Sequence, residues 1–194
     1  MNRALIVIDV QESFRRHRLW PLMSDPKLPD RIDPLVDAAR TAGDQVIWIL
    51  HTEPGTGNVF DPSSGHVRLM DGLVPRGGEP VLTKTSHNAF TTTNLQQILT
   101  ATGVRELLIS GIRTEQCCET TARIGSDLGY GVTFVTDATA TTPIAHRDLP
   151  EEASLDEIMA DPRTLTVDEI IRRTEYVLDG RFADVRTVAE VTGA

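Results

Sequence analysis

The chain has 194 residues, 40% hydrophobic and 24% charged, which is close to ordinary globular composition, so a full core is expected. Its formal net charge of −9 argues against nucleic acid or an anionic membrane as the main partner. The length favours one domain over residues 1–194, and no repeat, low-complexity tract or linker divides the sequence.

The start of the chain and its cysteines bear on where the protein works. The apolar run over residues 4–8 is short and is followed at once by the charged Asp9, so it predicts neither a signal peptide nor a membrane span. Cys117 and Cys118 are adjacent, so they cannot staple distant parts of the fold. We therefore expect a cytoplasmic protein without structural disulfides.

Strands and helices are predicted to alternate from the N-terminus onward. The continuous apolar runs at residues 4–8 and 45–50 are typical of strands buried on both faces of a parallel sheet. Residues 30–42 carry apolar side chains at helical spacing and are followed by Gly43, which predicts a helix. Residues 51–80 contain six Gly and four Pro and no sustained period, which predicts a long loop.

The same alternation continues to the C-terminus. Further strands are predicted at residues 81–83, 104–110, 131–136 and 182–185. Further helices are predicted after the caps Thr93 and Thr114, over 150–160, from the capping box at Thr166 to Gly180, and over 187–191. This order indicates βαβ units, and hence an α/β fold with three α/β/α layers around a six-stranded parallel sheet of Rossmann type.

Reactive side chains follow three of the predicted strands. Asp9 ends the first strand, Lys84 ends the third, and Cys117 lies one turn beyond the fourth. Because the carboxyl ends of parallel strands lie at one edge of a sheet, we expect these three side chains to meet there. With Thr114 as N-cap, Cys117 would be the third helical residue, where the helix dipole favours a thiolate.

Together these groups suit the hydrolysis of an amide. Asp9 can accept the thiol proton and later give it to the leaving amine, and the charge of Lys84 can favour the ionised forms of both neighbours. Cys117 can attack the carbonyl and form a thioester that water hydrolyses. Backbone N–H groups of the turn at residues 111–117 can stabilise the oxyanion. Taken singly, each side chain also has an ordinary structural interpretation, as a turn residue, a surface charge and a core thiol.

Three motifs surround these residues. They are Asp9-Val10-Gln11-Glu12-Ser13-Phe14, Lys84 followed by Asn88-Ala89-Phe90, and Gly111-Ile112-Arg113-Thr114-Glu115-Gln116-Cys117. In order and spacing they resemble the isochorismatase-like cysteine hydrolases, which include nicotinamidases, N-carbamoylsarcosine amidohydrolases and ureidoacrylate hydrolases. The similarity spans most of residues 4–140.

The resemblance implies specific roles for some of these residues. It implies Asp9, Lys84 and Cys117 as a catalytic triad. It also implies a cis peptide between Ile112 and Arg113, with the N–H groups of Arg113 and Cys117 forming the oxyanion hole. The family's fold is a six-stranded parallel sheet, its substrates are small molecules, and its members are often homo-oligomers. We expect no cofactor and no essential metal.

Substrate specificity is expected to lie in and beside the motifs. The candidate substrate-binding residues are Phe14, His87, Asn88, Phe90 and Arg113. Arg113 stands where family members often have a small residue, and it could pair with a substrate carboxylate. The Asp-x-His metal pattern of nicotinamidase-like members is absent, and His51-Thr52-Glu53 stands there instead. This replacement argues against nicotinamidase activity and against a bound metal.

Three alternatives remain beside a cysteine amidohydrolase. The first is an isochorismatase-type hydrolase of a vinyl ether, which Cys117 argues against because members with that chemistry lack the nucleophilic Cys. The second is a catalytically silent scaffold or interaction protein with the same fold. The third is a thiol redox protein that forms a reversible disulfide between Cys117 and Cys118, which would strain a helical backbone.

Overall fold

A computed structural model describes residues 2–193 of the chain. Its strands are β1 Arg3–Ile8, β2 Gln45–His51, β3 Val81–Lys84, β4 Glu106–Ile112, β5 Gly131–Ala140 and β6 Asp184–Arg186. Its α-helices are α1 Glu12–Arg16, α2 Leu28–Ala42, α3 Leu95–Ala101, α4 Glu119–Asp127, α5 Leu155–Ala160, α6 Val167–Leu178 and α7 Val188–Thr192. A π-helical turn, Thr114–Cys118, joins β4 to α4. None of the helices within residues 2–193 is long and apolar enough to cross a membrane.

The strands form one parallel sheet in the order β3-β2-β1-β4-β5-β6. The chain builds outward from β1 to β3 on one side and from β4 to β6 on the other. The strand order therefore reverses between β1 and β4, and the crevice outside the carboxyl ends of these two strands is the usual ligand site of such sheets. The α/β prediction with a six-stranded parallel sheet is confirmed.

Alternate residues of β1 pack on opposite faces of the sheet. Leu5 and Val7 belong to the core beneath α2, and Ala4, Ile6 and Ile8 belong to the core beneath α3, α4 and α6. All five side chains are fully buried, because helices cover both faces. This double burial explains why β1 is a continuous apolar run, and it gives the α/β/α layering.

The boundaries of several elements differ from those predicted. β5 continues to Ala140 rather than residue 136, because its register against β4 shifts between Ile109 and Gly111 and pairing then resumes. The weak helix predicted at 150–160 begins only at Leu155, after a capping box formed by Ser154 and Glu157. A register shift and a capping box thus set a strand end and a helix start that the apolar pattern alone could not place.

Gly111 allows β4 to pack closely against β1. Its φ of +131° lies outside the range that L side chains adopt readily, and a Cβ built there would lie 1.9 Å from the carbonyl oxygen of Ile8. Any side chain at this position must therefore push apart the two strands whose ends carry the crevice. Gly131, at the start of β5, is the matched control because its Cβ would meet no atom closer than 3.5 Å.

We expect Gly111→Ala to lower the free energy of unfolding by about 3 kcal/mol or more, since it combines backbone strain with a steric clash. Gly131→Ala should cost far less. Urea unfolding of the two variants and the wild type measures the difference. Equal stabilities for the two variants would contradict the close approach of β4 to β1.

Candidate active site

The structure brings Asp9, Lys84 and Cys117 together at the carboxyl edge of the sheet. The Nζ atom of Lys84 lies 2.8 Å from Oδ2 of Asp9 and 3.4 Å from Sγ of Cys117. The side chains of Asp9 and Lys84 are fully buried and Cys117 is 6% exposed. A buried ammonium thus contacts both a buried carboxylate and the sulfur.

Each of the three residues lies at or just beyond the carboxyl end of a strand, but the local backbone differs. Lys84 is the last residue of β3 and pairs in register with His51 of β2. Asp9 directly follows β1 in the left-handed conformation, with φ of 55°, and its N–H donates to the carbonyl of Ile49. Positive φ is uncommon for a residue with a side chain and concentrates at functional sites. Cys117 lies in the π-helical turn after β4.

Lys84 has a third partner that the sequence did not identify. Its Nζ lies 3.3 Å from Nδ1 of His51, whose Nε2 lies 3.3 Å from Oε1 of Glu53. An ammonium can only donate, so Nδ1 of His51 accepts and the ring proton resides on Nε2, facing Glu53. Burial and the charge of Lys84 lower the pKa of His51, which agrees with a neutral ring. The Nζ atom of Lys84 therefore lies within 3.4 Å of Asp9, Cys117 and His51.

The charges within the cluster oppose the effects of burial. Burial raises the pKa of Asp9 above its usual value, although Lys84 acts in the opposite direction. Burial acts to lower the pKa of Lys84, but the facing Asp9 and Cys117 outweigh it and raise that pKa. Lys84 is therefore a cation near neutral pH, and Asp9 is a more basic carboxylate than an exposed aspartate.

Cys117 is a protonated thiol in this environment. Burial, followed by the charge of Asp9, raises its pKa to about 12, although Lys84 opposes the shift. The prediction of an easily ionised thiol at a helix start is wrong, because burial and the charge of Asp9 together outweigh the opposing effect of Lys84. The N-cap prediction is also wrong: Arg113 occupies the cap position, and the Thr114 hydroxyl donates to Oγ1 of Thr139. The thiol therefore needs a base, and the Asp9 carboxylate interacts with it in the same buried cluster.

The turn after β4 presents backbone N–H groups beside the sulfur. The peptide bond between Ile112 and Arg113 is cis. The amides of Gln116 and Cys118 donate to the carbonyl of Arg113 at 3.2 and 3.1 Å. In the described part of the chain, the amides of Arg113 and Cys117 have no backbone partner outside this turn. These two amides are the ones predicted from the sequence to form the oxyanion hole.

A cavity of about 310 Å³ opens onto this cluster, a size that suits a small molecule. Its lining consists of Asp9, Phe14, His17, His51, Glu53, Phe60, His87, Arg113, Gln116 and Cys117. The rings of Phe14 and Phe60 meet edge to face, with centroids 5.0 Å apart, and give the cavity one apolar wall. A larger surface depression between α6 and β6 contains none of the three central residues.

The predicted substrate-binding residues divide into two groups. Phe14, His87 and Arg113 line the cavity, whereas Asn88 and Phe90 do not. Oδ1 of Asn88 accepts from the N–H groups of Phe90 and Thr91, so this side chain holds the turn after β3. Phe90 packs in the core and stacks on Tyr130, with ring centroids 6.1 Å apart. Asn88 is therefore used in capping a turn and Phe90 in packing the core, and neither side chain is free to bind substrate.

Several lining residues were not predicted as binding residues. His17 and Phe60 come from segments without a periodic pattern, so nothing in the sequence indicated where they lie. The positions of His51 and Glu53 could have indicated a role in the site, because they come at the end of the second apolar run just as Asp9 comes at the end of the first. Within residues 2–193, no group of three or more His, Cys, Asp or Glu side chains is arranged to hold a metal ion.

Comparison with known proteins now assigns the family. The family model of the isochorismatase domain matches residues 3–166. The chain belongs to the isochorismatase-like cysteine hydrolase family. The family model and the names of the aligned members indicate that the chain is a hydrolase of small molecules.

Named members of the family align over most of the chain. Nicotinamidase 3 of Arabidopsis thaliana is 32% identical over 152 residues, covering 71% of this chain and 73% of that protein. The ureidoacrylate amidohydrolase RutB of Klebsiella pneumoniae is 28% identical over 170 residues, covering 70% and 72%. The crystal structure of an isochorismatase from Pseudomonas putida has a TM-score of 0.82 at 29% identity and covers 97% of this chain and 89% of that one.

Proposed function

We propose that this protein hydrolyses a C–N amide-type bond of a small molecule through a thioester on Cys117. The observation that carries the proposal is the contact of one buried ammonium, Lys84, with both the Asp9 carboxylate and the Cys117 sulfur. If Lys84 were only a surface charge and Cys117 only a core thiol, the two would not be expected to be in contact. Burying a cation and an anion together costs free energy of desolvation, so such a pair is better explained by a catalytic role than by stability.

Acylation begins with proton transfer from the thiol. Asp9 takes the proton of Cys117, and the sulfur attacks the carbonyl carbon as the carbonyl electron pair moves onto oxygen. Lys84, facing both groups, stabilises the thiolate while it exists. The amides of Arg113 and Cys117 donate to the oxyanion. The carbonyl then re-forms, the C–N bond breaks, and the nitrogen leaves with the proton held by Asp9.

Deacylation uses the same groups again. Asp9, now ionised, takes a proton from water as the water oxygen attacks the thioester carbon. The tetrahedral intermediate collapses, the C–S bond breaks, and the proton on Asp9 returns to the sulfur of Cys117. The net reaction consumes one amide and one water and yields a carboxylic acid and an amine or ammonia. The enzyme ends in its starting protonation state.

An amide bond is favoured over the alternatives by what the residues can do. The leaving nitrogen of an amide needs a proton, and a carboxyl group with a raised pKa supplies one. The relatives named nicotinamidase and ureidoacrylate amidohydrolase bear names of C–N bond hydrolases. Hydrolysis of a vinyl ether has no use for the Cys117 sulfur. A silent scaffold has no use for the cluster of Asp9, Lys84 and Cys117.

Ammonia release over a panel of small amides, carbamoyl acids and ureido acids tests the proposed function. At least one compound should be hydrolysed by the wild type with a stoichiometric yield of acid. A panel that gives no ammonia from any compound would favour the silent scaffold. A reversible loss of two mass units at Cys117 and Cys118 would favour the thiol redox protein.

The pH profile should report Asp9. Because the base must be ionised and burial raises its pKa, kcat/KM should rise with pH through a midpoint above 3.8, the ordinary value for Asp. His51 also titrates on the acid side, with a pKa lowered from 6.5. His51→Gln keeps an acceptor for Lys84 and should leave the midpoint in place. A midpoint at or below 3.8, or one abolished by His51→Gln, would remove Asp9 as the base.

A further inference from the structure

Arg113 is a half-buried residue of the cavity lining, and its side chain has no partner among residues 2–193. Arg113 lines the same cavity as Asp9 and Cys117, and within residues 2–193 its side chain makes no hydrogen bond and no ion pair. Arg40, a guanidinium only 16% exposed, shows the ordinary arrangement: it pairs with Glu79 at 2.7 Å and donates to the carbonyl of Val74. Because a half-buried arginine is usually paired, an unpaired one beside the nucleophile is a candidate site for binding an anion.

The nearby charges do not neutralise Arg113. Glu115 is the carboxylate that acts on it most, but Oε2 of Glu115 accepts from the hydroxyl of Thr141, and no Glu115 oxygen comes within ion-pair distance of Arg113. Burial lowers the pKa of the guanidinium, and yet an arginine stays charged at any working pH. Burial and the charge of Arg113 also lower the pKa of His17 across the cavity. Arg113 therefore places a positive charge in a lining whose carboxylates are those of Asp9 and Glu53.

We propose that Arg113 binds a carboxylate of the substrate, so that the enzyme selects small amides or ureides that carry an acid group near the scissile bond. This inference rests on the proposed function of Cys117. A guanidinium binds a carboxylate through two parallel N–H···O bonds, which fixes position and orientation. The backbone N–H of the same residue belongs to the proposed oxyanion hole. One residue would therefore hold the acid group with its side chain and the reacting carbonyl with its main chain, which requires the two to be only a few bonds apart.

The test compares two alkylating reagents of nearly the same shape. Iodoacetate carries a carboxylate and iodoacetamide a neutral amide. The first transfers a carboxymethyl group and the second a carbamidomethyl group to Sγ of Cys117, as the thiol loses its proton and iodide leaves. Peptide mass mapping follows the rate at Cys117 for each reagent, and the ratio of the two rates cancels differences in thiol reactivity. The variant is Arg113→Gln. The matched control is Arg18→Gln, which removes a charge that also acts on His17 but lies outside the cavity lining.

The ratio of iodoacetate to iodoacetamide rates should fall by about tenfold or more in Arg113→Gln, because a charge-assisted bidentate contact contributes at least that much. Arg18→Gln should keep the wild-type ratio. Arg113→Lys should recover part of it and serves if Arg113→Gln folds poorly.

A ratio that is the same in wild type, Arg113→Gln and Arg113→Lys overturns the carboxylate site and leaves the proposed function standing. A wild type that releases no ammonia from any panel compound overturns the proposed function and, with it, the site. A ratio that falls equally in Arg18→Gln assigns the effect to general charge and also overturns the site.

Discussion

Cys117→Ala should lose turnover by about 10³-fold or more while it keeps the fold, because it removes the only atom proposed to bond to the substrate. The side chain is small and lies at the cavity floor, so its truncation leaves the core largely intact. Steady-state ammonia release at a saturating concentration of the best panel compound measures the loss. Near-UV circular dichroism and urea unfolding check the fold.

The adjacent Cys118 provides the control. It is also a free thiol and is fully buried, but it packs in the core beneath α4 and does not line the cavity. Cys118→Ala should therefore lose some stability and keep most of its activity. Equal activity losses in the two variants would mean that the turn tolerates neither change, and the assignment of Cys117 as nucleophile would fail.

Lys84→Met should both abolish turnover and destabilise the protein by about 3–5 kcal/mol at neutral pH. The substitution keeps an unbranched side chain in the buried space but leaves the Asp9 carboxylate without its cation. Because Asp9 then pays the full cost of burial, its pKa should rise further. A group with a raised pKa in the folded state favours folding when it is protonated. The stability lost in Lys84→Met should therefore return as the pH is lowered through that pKa.

A double-mutant cycle isolates the interaction of the two charges. Asp9→Asn removes the anion, and the double variant with Lys84→Met removes both charges. The double variant should lose less stability than the sum of the single losses and should lack the recovery at low pH. Urea unfolding of the four proteins at several pH values provides the data. Additive losses at every pH would contradict the close contact of Asp9 and Lys84.

The fold was predictable from the sequence because its signals are local. β1 and β2 are apolar runs buried on both faces, and Thr166 with Glu169 forms the capping box that opens α6. The parallel order of the strands then follows from the alternation with helices. The meeting of Asp9, Lys84 and Cys117 could also be expected, since each follows a strand whose end lies at the same edge.

The chemistry of the site was less predictable because it depends on burial. The helix position of Cys117 indicates an acidic thiol, whereas its pKa of about 12 results from desolvation by residues distant in sequence. The contact between His51 and Lys84 depends on strands β2 and β3 being in register, which no local pattern reveals. The unpaired state of Arg113 likewise depends on which carboxylates fail to reach it. Partners distant along the chain decide each of these properties.

Direct detection of the acyl-enzyme tests the central claim. The wild type is mixed with the best panel compound and quenched in acid during turnover, and its proteolytic peptides are weighed. The peptide that contains Cys117 should gain the mass of the acyl group, lose it on treatment with hydroxylamine, and show no gain in Cys117→Ala. An acyl group on any other residue, or full turnover by Cys117→Ala, would contradict the account.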